Sequence, residues 1–487
     1  MSKLRELFSD TLIYGISSVF ARFINYLLVP LYTGVFDPEA YGIVGLVYAA
    51  IALLNVVFTM GMESAYLRYA KDRDNSASLF KTLQVFLVGS SVLFVGLLWL
   101  LAPNITPLLG TVSGSDIYLL MLGILFFDTL AIVPFAELRF VRKAITFAVL
   151  KTGNVFINLG LNFYLILGLD YGIEAVFISN FAASLLTTIC IWVVTIQQLK
   201  GAWSIDFLGM ALRFGLPFIP AGIGHVINEM LDRFFIMGMA PSAIESVYGA
   251  GISAEYLVGI YNACYKLAVF MLLLVQMFRM AWQPFFMRKS DDEEAPKLFA
   301  RTFSLFNIAA AGILLFVALF VEQIVAIKIP FMEATLIGEE YWVGLSVVPV
   351  LLFAYWFQGW YVNFSAGIFI KNQTKRLAQI TLIGATITVI ANLSLIPFYG
   401  IMGSAFATAL SYFVMAMLIY RYSTKAFSVP YKMLQAFAVL IITGLAVYLK
   451  PILSDQIFSD LISSILLLIV SLLLISVLSY KDVVSRA

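Results

Sequence analysis

The sequence predicts an all-α integral membrane protein with fourteen transmembrane helices. Of its 487 residues, 62% are hydrophobic and 12% are charged, which leaves too little polar surface for a soluble protein of this length. Fourteen apolar stretches are each long enough to cross a bilayer, which takes about 20 residues. They run over 11–33, 41–63, 79–102, 116–136, 145–168, 172–198, 210–238, 255–279, 301–321, 342–369, 377–397, 399–420, 432–449 and 461–480.

The third observation is the distribution of Lys and Arg. With the connections assigned alternately to the two sides, starting inside, 25 of the 30 basic residues fall in inner-side segments or at their edges. Lys328 and Lys450 fall outside, and Arg22, Arg233 and Lys266 lie within predicted helices. Short translocated loops are poor in Lys and Arg. The pattern therefore predicts a multi-pass protein of the cytoplasmic (inner) membrane with both termini cytoplasmic.

The segment lengths also indicate which functions to exclude. The first segment is too long for a signal-peptide core, so we expect a retained helix. The longest outer connection, 322–341, offers no room for a folded external domain. One His and two Cys give no metal-ligand cluster of the usual spacing, and no G-x-x-x-x-G-K-[ST] motif for ATP hydrolysis is present. We expect no cofactor, no metal, no catalytic residue and no nucleic-acid partner.

Two pairs of short matches indicate an internal duplication. Residues 22–25 (Arg-Phe-Ile-Asn) resemble 225–228 (His-Val-Ile-Asn), and 40–43 (Ala-Tyr-Gly-Ile) resemble 257–260 (Leu-Val-Gly-Ile). The matches occur in the same order and six predicted helices apart, which indicates a parallel repeat. We therefore expect a six-helix lobe over 1–200, a second over 201–428, and two additional helices over 429–487.

Scattered motifs resemble those of a known family. They are 11–15 (Thr-Leu-Ile-Tyr-Gly), 28–33 (Leu-Val-Pro-Leu-Tyr-Thr), 37–42 (Asp-Pro-Glu-Ala-Tyr-Gly), 61–69 (Gly-Met-Glu-Ser-Ala-Tyr-Leu-Arg-Tyr), 215–220 (Gly-Leu-Pro-Phe-Ile-Pro), 232–233 (Asp-Arg), 258–262 (Val-Gly-Ile-Tyr-Asn) and 281–285 (Ala-Trp-Gln-Pro-Phe). The chain resembles Wzx-type polysaccharide and O-antigen flippases, the polysaccharide-transporter branch of the multidrug/oligosaccharidyl-lipid/polysaccharide exporter superfamily. The resemblance implies two six-helix lobes around a central cavity, alternating access, and a polyprenyl-diphosphate-linked oligosaccharide as cargo.

Basic residues inside predicted helices suggest a cargo site. A charge at the bilayer centre costs about 2.5–3.5 kcal/mol on insertion scales, so such residues tend to face a cavity or a partner. We expect Arg22 and Lys266 to attract the diphosphate or acidic sugars of the cargo, with Asn25, Asn228 and Tyr261 in the same site. The alternative is that each cation pairs with a carboxylate and locks two helices together.

The seventh predicted helix carries a polar stripe. His225, Asn228, Glu229, Asp232 and Arg233 follow helical spacing and should share one face. Glu229 and Asp232 are candidates for binding a coupling proton or sodium ion, with His225 as a relay. The alternative is a structural network in which Glu229 or Asp232 pairs with Arg233.

Charges elsewhere suggest a further ion-coupling acid and a gate. Asp128 lies well inside the fourth predicted helix and is an additional ion-coupling candidate. Glu63 with Arg68, and Glu137 with Arg139, could form charge networks that close the cytoplasmic side; the alternative is ordinary interfacial charge.

The tenth predicted helix holds a cluster of aromatic residues. The two interpretations are a wall of the glycan cavity and helix packing, and packing is favoured. The cluster comprises Tyr355, Trp356, Phe357, Trp360 and Tyr361.

The predicted function is ion-coupled flipping of a lipid-linked oligosaccharide for cell-surface polysaccharide biosynthesis. The predicted partners are the cargo, membrane lipid, a coupling H⁺ or Na⁺, and other glycan-assembly membrane proteins. Two alternatives stay open: a cation-coupled exporter of small organic cations, and a membrane polysaccharide polymerase or ligase. An organic cation would prefer an acidic cavity, so Arg22 and Lys266 favour the anionic cargo.

Overall fold

The computed structural model describes residues 26–70, 75–110, 116–289, 292–330, 334–371, 373, 375–457 and 459–484. Their secondary structure is almost entirely helical. By internal contacts the chain divides into two compact units, Met1–Gly238 with Ile252–Gly259, and Met239–Gly251 with Ile260–Ala487. Residues 201–238 belong to the first unit by this criterion, whereas the sequence repeat assigns them to the second lobe. Compactness and duplication are different criteria, so the boundaries 1–200, 201–428 and 429–487 remain predictions.

The first unit contains eleven helices among its described residues. They are α1 (Leu28–Val35), α2 (Pro38–Thr59), α3 (Met62–Tyr69), α4 (Ser76–Leu100), α5 (Ala102–Ile105), α6 (Asp116–Phe140), α7 (Ala144–Phe163), α8 (Glu174–Thr195), α9 (Ile205–Gly215), α10 (Phe218–Met230) and α11 (Asp232–Met237). Short 3-10 segments cover Thr106–Leu109 and Ile196–Lys200, and a π-helical turn, Tyr164–Gly168, extends α7.

Local sequence explains how α2 begins and ends. The Asp37 carboxylate accepts a hydrogen bond from the Ala40 amide at 2.8 Å, and Pro38 takes the first helical position. The helix ends where Met60 and Gly61 adopt left-handed φ angles of 48° and 68°. A side chain at Gly61 would collide with the backbone of Gly215, so glycine is required for this close approach. The break redirects the chain into α3, which carries Glu63.

A proline inside α6 leaves a backbone carbonyl free to link three helices. Pro134 has no amide hydrogen, so the Leu130 carbonyl lacks its usual partner four residues later. That carbonyl instead accepts hydrogen bonds from Gln84 Nε2 of α4 at 2.8 Å and Trp192 Nε1 of α8 at 3.1 Å. The three helices are thus joined by polar contacts within an apolar bundle, beside the position of Asp128.

The second unit contains eight helices and a small hairpin among its described residues. The helices are α12 (Pro241–Tyr248), α13 (Ala254–Lys289), α14 (Ala295–Leu319), α15 (Val321–Val325), α16 (Val347–Ile370), α17 (Lys375–Ala426), α18 (Met433–Gln456) and α19 (Asp460–Val484). Of α13, the residues from Ile260 onward belong to this unit. Strands β1 (Lys328–Ile329) and β2 (Ala334–Thr335) pair antiparallel, and a 3-10 segment covers Glu339–Gly344.

Helix α17 spans two predicted segments and is broken between them. Gly400 has φ 54° and ψ −133°, three residues after Pro397. The Tyr248 hydroxyl accepts a hydrogen bond from the Ile401 amide at 2.8 Å, and a side chain at Gly400 would collide with the Tyr248 ring. Tyr248 therefore caps the second half of α17. The predicted boundary between segments 377–397 and 399–420 falls at this break.

The aromatic cluster of α16 packs inside the second unit. Trp356 and Trp360 are fully buried, and their indole N–H groups donate to the Asn307 side-chain oxygen at 2.8 and 2.6 Å. The Tyr355 hydroxyl is hydrogen-bonded to that of Tyr265. These contacts agree with packing as the main role of the cluster.

The appended helices α18 and α19 are held by ion pairs at one end. Lys450 Nζ lies 3.2 Å from Asp460 and 3.9 Å from Glu322, and Lys450 is only 8% exposed. Gln323 and Ser454 donate further hydrogen bonds to Asp460, at 2.5 and 3.2 Å. This pairing explains how one of the two basic residues on the predicted outer side is accommodated.

The all-α membrane class is confirmed. Ten helices among the described residues are long and apolar enough to cross a membrane, or eleven if α9 and α10, bent by 41°, count as one span. Helix α16 falls short because its aromatic and amide side chains lower its apolarity, and α17 counts once despite its break. Residues 11–25 of the first segment lie outside the described part of the chain. The number fourteen therefore stays a prediction.

Candidate functional site

A polar cavity of about 290 Å³ lies inside the first unit. Four of its lining residues are charged, namely Glu63, Asp128, Arg139 and Lys151. Their formal charges cancel, so the cavity is highly polar with no net charge. The remaining lining residues are Asn55, Ala131, Ile132, Phe135, Phe147, Asn154, Asn180, Ser184, Thr187 and Thr188.

Asp128 and Lys151 face this cavity from neighbouring helices. Asp128 lies on α6, interacts with the Ser184 hydroxyl of α8, and is electrostatically coupled to Lys151 of α7. No ion pair joins them, so the Lys151 nitrogen lies more than 4.0 Å from the Asp128 carboxylate oxygens. Lys151 Nζ instead lies 4.3 Å from the centre of the Phe135 ring, a cation–π geometry. A carboxylate and an ammonium thus share one cavity without direct contact.

The second pair of charges forms an ion pair. Arg139 of α6 bridges to Glu63 of α3, and their side chains are 32% and 44% exposed. The pair joins α3 and α6 at the wall of the cavity. The gate role of Glu63, Arg68 and Arg139 remains a prediction.

The pairing expected from sequence, Glu63 with Arg68 and Glu137 with Arg139, is wrong. Residues 137 and 139 are two apart on one helix and point in different directions. Glu137 is buried and accepts hydrogen bonds from the Tyr66 hydroxyl at 2.6 Å and from Gln198 at 2.8 Å. The Arg68 guanidinium lies 4.5 Å from the centre of the Phe214 ring.

Amide and hydroxyl groups complete the lining. Asn154 donates to the Thr187 hydroxyl at 3.0 Å, and Asn180 donates to the Tyr48 hydroxyl at 3.0 Å. The Asn55 side-chain oxygen is buried and has no hydrogen-bond partner within the part of the chain that the structure describes. An acceptor of this kind is costly unless water or a ligand satisfies it.

The polar stripe of the seventh predicted segment is divided by a helix break. Helix α10 ends at Met230 and α11 begins at Asp232. Asn228, Asp232 and Arg233 are buried, Glu229 is half-buried and His225 is exposed. Arg233 Nη1 lies 2.5 Å from Asp232 and donates to the Glu229 carbonyl at 2.8 Å. Asp232 and Arg233 thus form the pair weighed as the alternative, and coupling roles for His225, Glu229 and Asp232 remain predictions.

The predicted cargo residues are spread over the chain. Tyr261 is buried in the second unit, with its ring centre 6.0 Å from that of Tyr265, and Lys266 is half-buried on α13. Arg22 and Asn25 lie outside the described residues. The cargo roles of these residues and of Asn228 therefore remain predictions.

Sequence reasoning did not single out Lys151, Asn55, Asn154 or Asn180. Lys151 was counted among the inner-side basic residues. A signal was nevertheless present, because residues 151, 154, 158 and 162 (Lys, Asn, Asn, Asn) recur at helical spacing in an apolar segment.

Within the described part of the chain, no group of three or more His, Cys, Asp or Glu could hold a metal ion.

Comparison with protein families identifies the chain. A family model described as "Polysaccharide biosynthesis protein" matches residues 34–330, more than half of the sequence. The chain belongs to this family. A comparison with curated protein sequences finds no match.

Solved structures show the fold of this polysaccharide biosynthesis protein. It is similar to the lipid II flippase MurJ in an inward closed conformation, with a TM-score of 0.69, 17% identity, and coverage of 97% of this chain and 100% of that one. For an inward-facing multidrug resistance MATE transporter the TM-score is 0.63 and the identity 14%, with coverage of 85% of this chain and 94% of that one. For a transporter from Pyrococcus furiosus, described by the reverse polarity of its binding pocket, the TM-score is 0.58 and the identity 14%, with coverage of 85% of this chain and 95% of that one. The MATE transporter and the Pyrococcus protein are both described as members of the MOP superfamily. The fold is that of this superfamily, and the resemblance seen in the sequence is confirmed.

Proposed function

We propose that this protein flips a polyprenyl-diphosphate-linked oligosaccharide across the cytoplasmic membrane by ion-coupled alternating access. The cargo would serve cell-surface polysaccharide biosynthesis, such as that of O-antigen, and the coupling ion would move as in an antiporter. The observation that carries the proposal is membership of a polysaccharide biosynthesis family on a fold shared with a lipid II flippase and with MATE transporters. Both termini would be cytoplasmic, and other glycan-assembly membrane proteins are the expected partners.

The cavity of the first unit supports the ion-coupling part of this proposal. Carrier cycles need a site that can gain and lose an ion, and a polar cavity with a carboxylate inside an apolar bundle provides one. Asp128 is that carboxylate. The Glu63–Arg139 pair at the cavity wall would break and reform as access changes.

The second candidate function is export of small organic cations. It is favoured by the similarity to MATE transporters and by the acids Asp128 and Glu63 in the cavity. The charges of Arg139 and Lys151 cancel those acids, so the cavity offers no net attraction to a cation. The flippase proposal is therefore preferred.

The decisive experiment is complementation of a flippase-deficient strain that carries the cognate glycan pathway. We expect the wild type to restore surface glycan, and Arg22→Ala and Lys266→Ala to reduce it at matched membrane levels, because a diphosphate would lose its cationic partners. Lys200→Gln, a charge loss on an exposed residue, is the matched control. Restoration by both alanine variants would remove the support for an anionic cargo. Resistance to organic cations without glycan restoration would favour the exporter.

A further inference from the structure

We propose that Lys151 determines the ion selectivity of the cavity in the first unit. Its ammonium group shares the cavity with Asp128 and competes there with a sodium ion, so that the proton is the ion Asp128 carries. The inference rests on the proposed ion coupling and names the coupling ion and the residue that selects it.

Without Lys151, the lining would suit sodium. Asp128 supplies a carboxylate, Asn55 a buried side-chain oxygen that lacks a partner within the described residues, and Ser184 and Thr187 supply hydroxyl groups. Hard cations are held by several oxygen ligands of these kinds at once. The oxygen ligands for a monovalent metal cation are therefore present in the cavity.

Lys151 places a competing cation in that space. Its side chain is exposed to the cavity and lies beyond ion-pair distance of any carboxylate in the described residues. One ammonium confined to about 290 Å³ corresponds to an effective concentration of about 6 M. Free sodium at physiological concentration is far more dilute, so the tethered cation wins the competition for Asp128.

The other charged and titratable groups around Asp128 do not change this balance. From α2, the neutral phenol of Tyr48 interacts with Asp128. From α3 and α6, Glu63 and Arg139 neutralise each other. From α8, only the uncharged groups of Asn180, Ser184, Thr187 and Thr188 line the cavity. Among the described residues that line the cavity, Lys151 on α7 is thus the cation left to balance Asp128.

A proton escapes this exclusion because it binds differently. It forms an O–H bond with one carboxylate oxygen of Asp128 and needs no shell of ligands. Protonation removes the charge that attracts Lys151, whose ammonium already lies over the Phe135 ring. On deprotonation the ammonium can turn back towards the carboxylate. The same cavity can therefore exchange protons while it rejects sodium.

The test is direct measurement of sodium-22 binding to the purified full-length protein at one pH, with ionic strength held constant by choline. We expect no saturable binding to the wild type or to Lys151→Arg, which keeps a cation. Lys151→Gln should bind at least about tenfold more sodium-22, because the tethered competitor is gone. Adding Asp128→Asn should abolish that binding. Lys200→Gln is the matched control and should behave as the wild type.

Equal sodium-22 binding by the wild type and Lys151→Gln would overturn the proposal. So would the absence of sodium-22 binding by both Lys151→Gln and Lys151→Met when both elute as monodisperse protein. A gain in sodium-22 binding by Lys200→Gln equal to that of Lys151→Gln would also overturn it. In cells, surface glycan made by Lys151→Gln should become dependent on external sodium. Sodium binding is measured without cargo, so its outcome is separate from complementation. If the wild type fails to restore glycan while the binding pattern holds, the flippase proposal falls and the selectivity role of Lys151 stands.

Discussion

Breaking the Glu63–Arg139 ion pair should open the cavity of the first unit more often. The pair is partly exposed, at 44% and 32%, and pairs of this kind contribute about 0.2–1 kcal/mol. Its loss should therefore raise the population of the open state about 1.5- to 5-fold. Glu63→Gln and Arg139→Gln each remove the attraction, whereas Glu63→Arg combined with Arg139→Glu restores it with the charges exchanged.

The opening of the cavity can be measured as the rate at which a cysteine introduced into its lining reacts with a thiol reagent. Asn55→Cys lines the cavity, and Cys190→Ser with Cys264→Ser removes the two native thiols. Reaction with a membrane-impermeant thiol reagent, in inverted and right-side-out vesicles, should be about 1.5- to 5-fold faster in either single variant. The exchanged pair should react at the parent rate.

The control for this experiment is Glu294→Gln. It breaks an ion pair with Lys297 that is largely exposed and lies outside the cavity. If the single variants react no faster than the parent, or if the exchanged pair reacts as fast as they do, the ion pair does not hold the cavity closed.

Two predictions concern stability. Asn307→Leu would leave the buried indole N–H groups of Trp356 and Trp360 without their acceptor, at a cost of about 2–6 kcal/mol. Thermal melts in detergent should show a lower Tm, and adding Trp356→Phe and Trp360→Phe should recover part of the loss; no recovery would mean that the hydrogen bonds are not its cause. Gly42→Ala would force a methyl group into the backbone of Glu255, costing about 1–3 kcal/mol. Folded yield by fluorescence-detected size-exclusion chromatography should fall, but not for Gly89→Ala, where no atom lies within 4 Å of the added carbon; equal yields would contradict this packing argument.

The helical segments were predictable because they follow from a requirement of the bilayer alone. An apolar chain must satisfy its backbone hydrogen bonds internally, so long apolar runs become helices. The break at Gly400 was also within reach of sequence, since Pro397 and glycine lie where two apolar segments meet. The count was harder, because the buried Trp and Asn side chains of α16 lower its apolarity, and hydropathy alone does not decide whether such a helix crosses the membrane.

The charge partners were not predictable from spacing. Sequence proximity suggested Glu63 with Arg68, yet helix α3 directs Glu63 towards Arg139, which is distant in sequence. Glu137 accepts hydrogen bonds from Tyr66 and Gln198, because the packing of α6 determines which neighbours its side chain meets. Asp128 was recognised as an acid well inside a predicted helix, but its relation to Lys151 depends on how α6 and α7 pack. The position of a charge within an apolar segment can be read from sequence, whereas the identity of its partner is a property of the tertiary structure.

Helix α13 carries the chain across the division between the two compact units. It is 36 residues long, so it is about 54 Å long at about 1.5 Å per residue, and its first residues, to Gly259, belong to one compact unit and the remainder to the other. The chain therefore passes Gly259 within a helix, where backbone amides bond to carbonyls four residues earlier, and not within a loop. The segment before the helix differs in this respect, because Gly249 and Gly251 have φ angles of 90° and 86°, which glycine adopts at little cost.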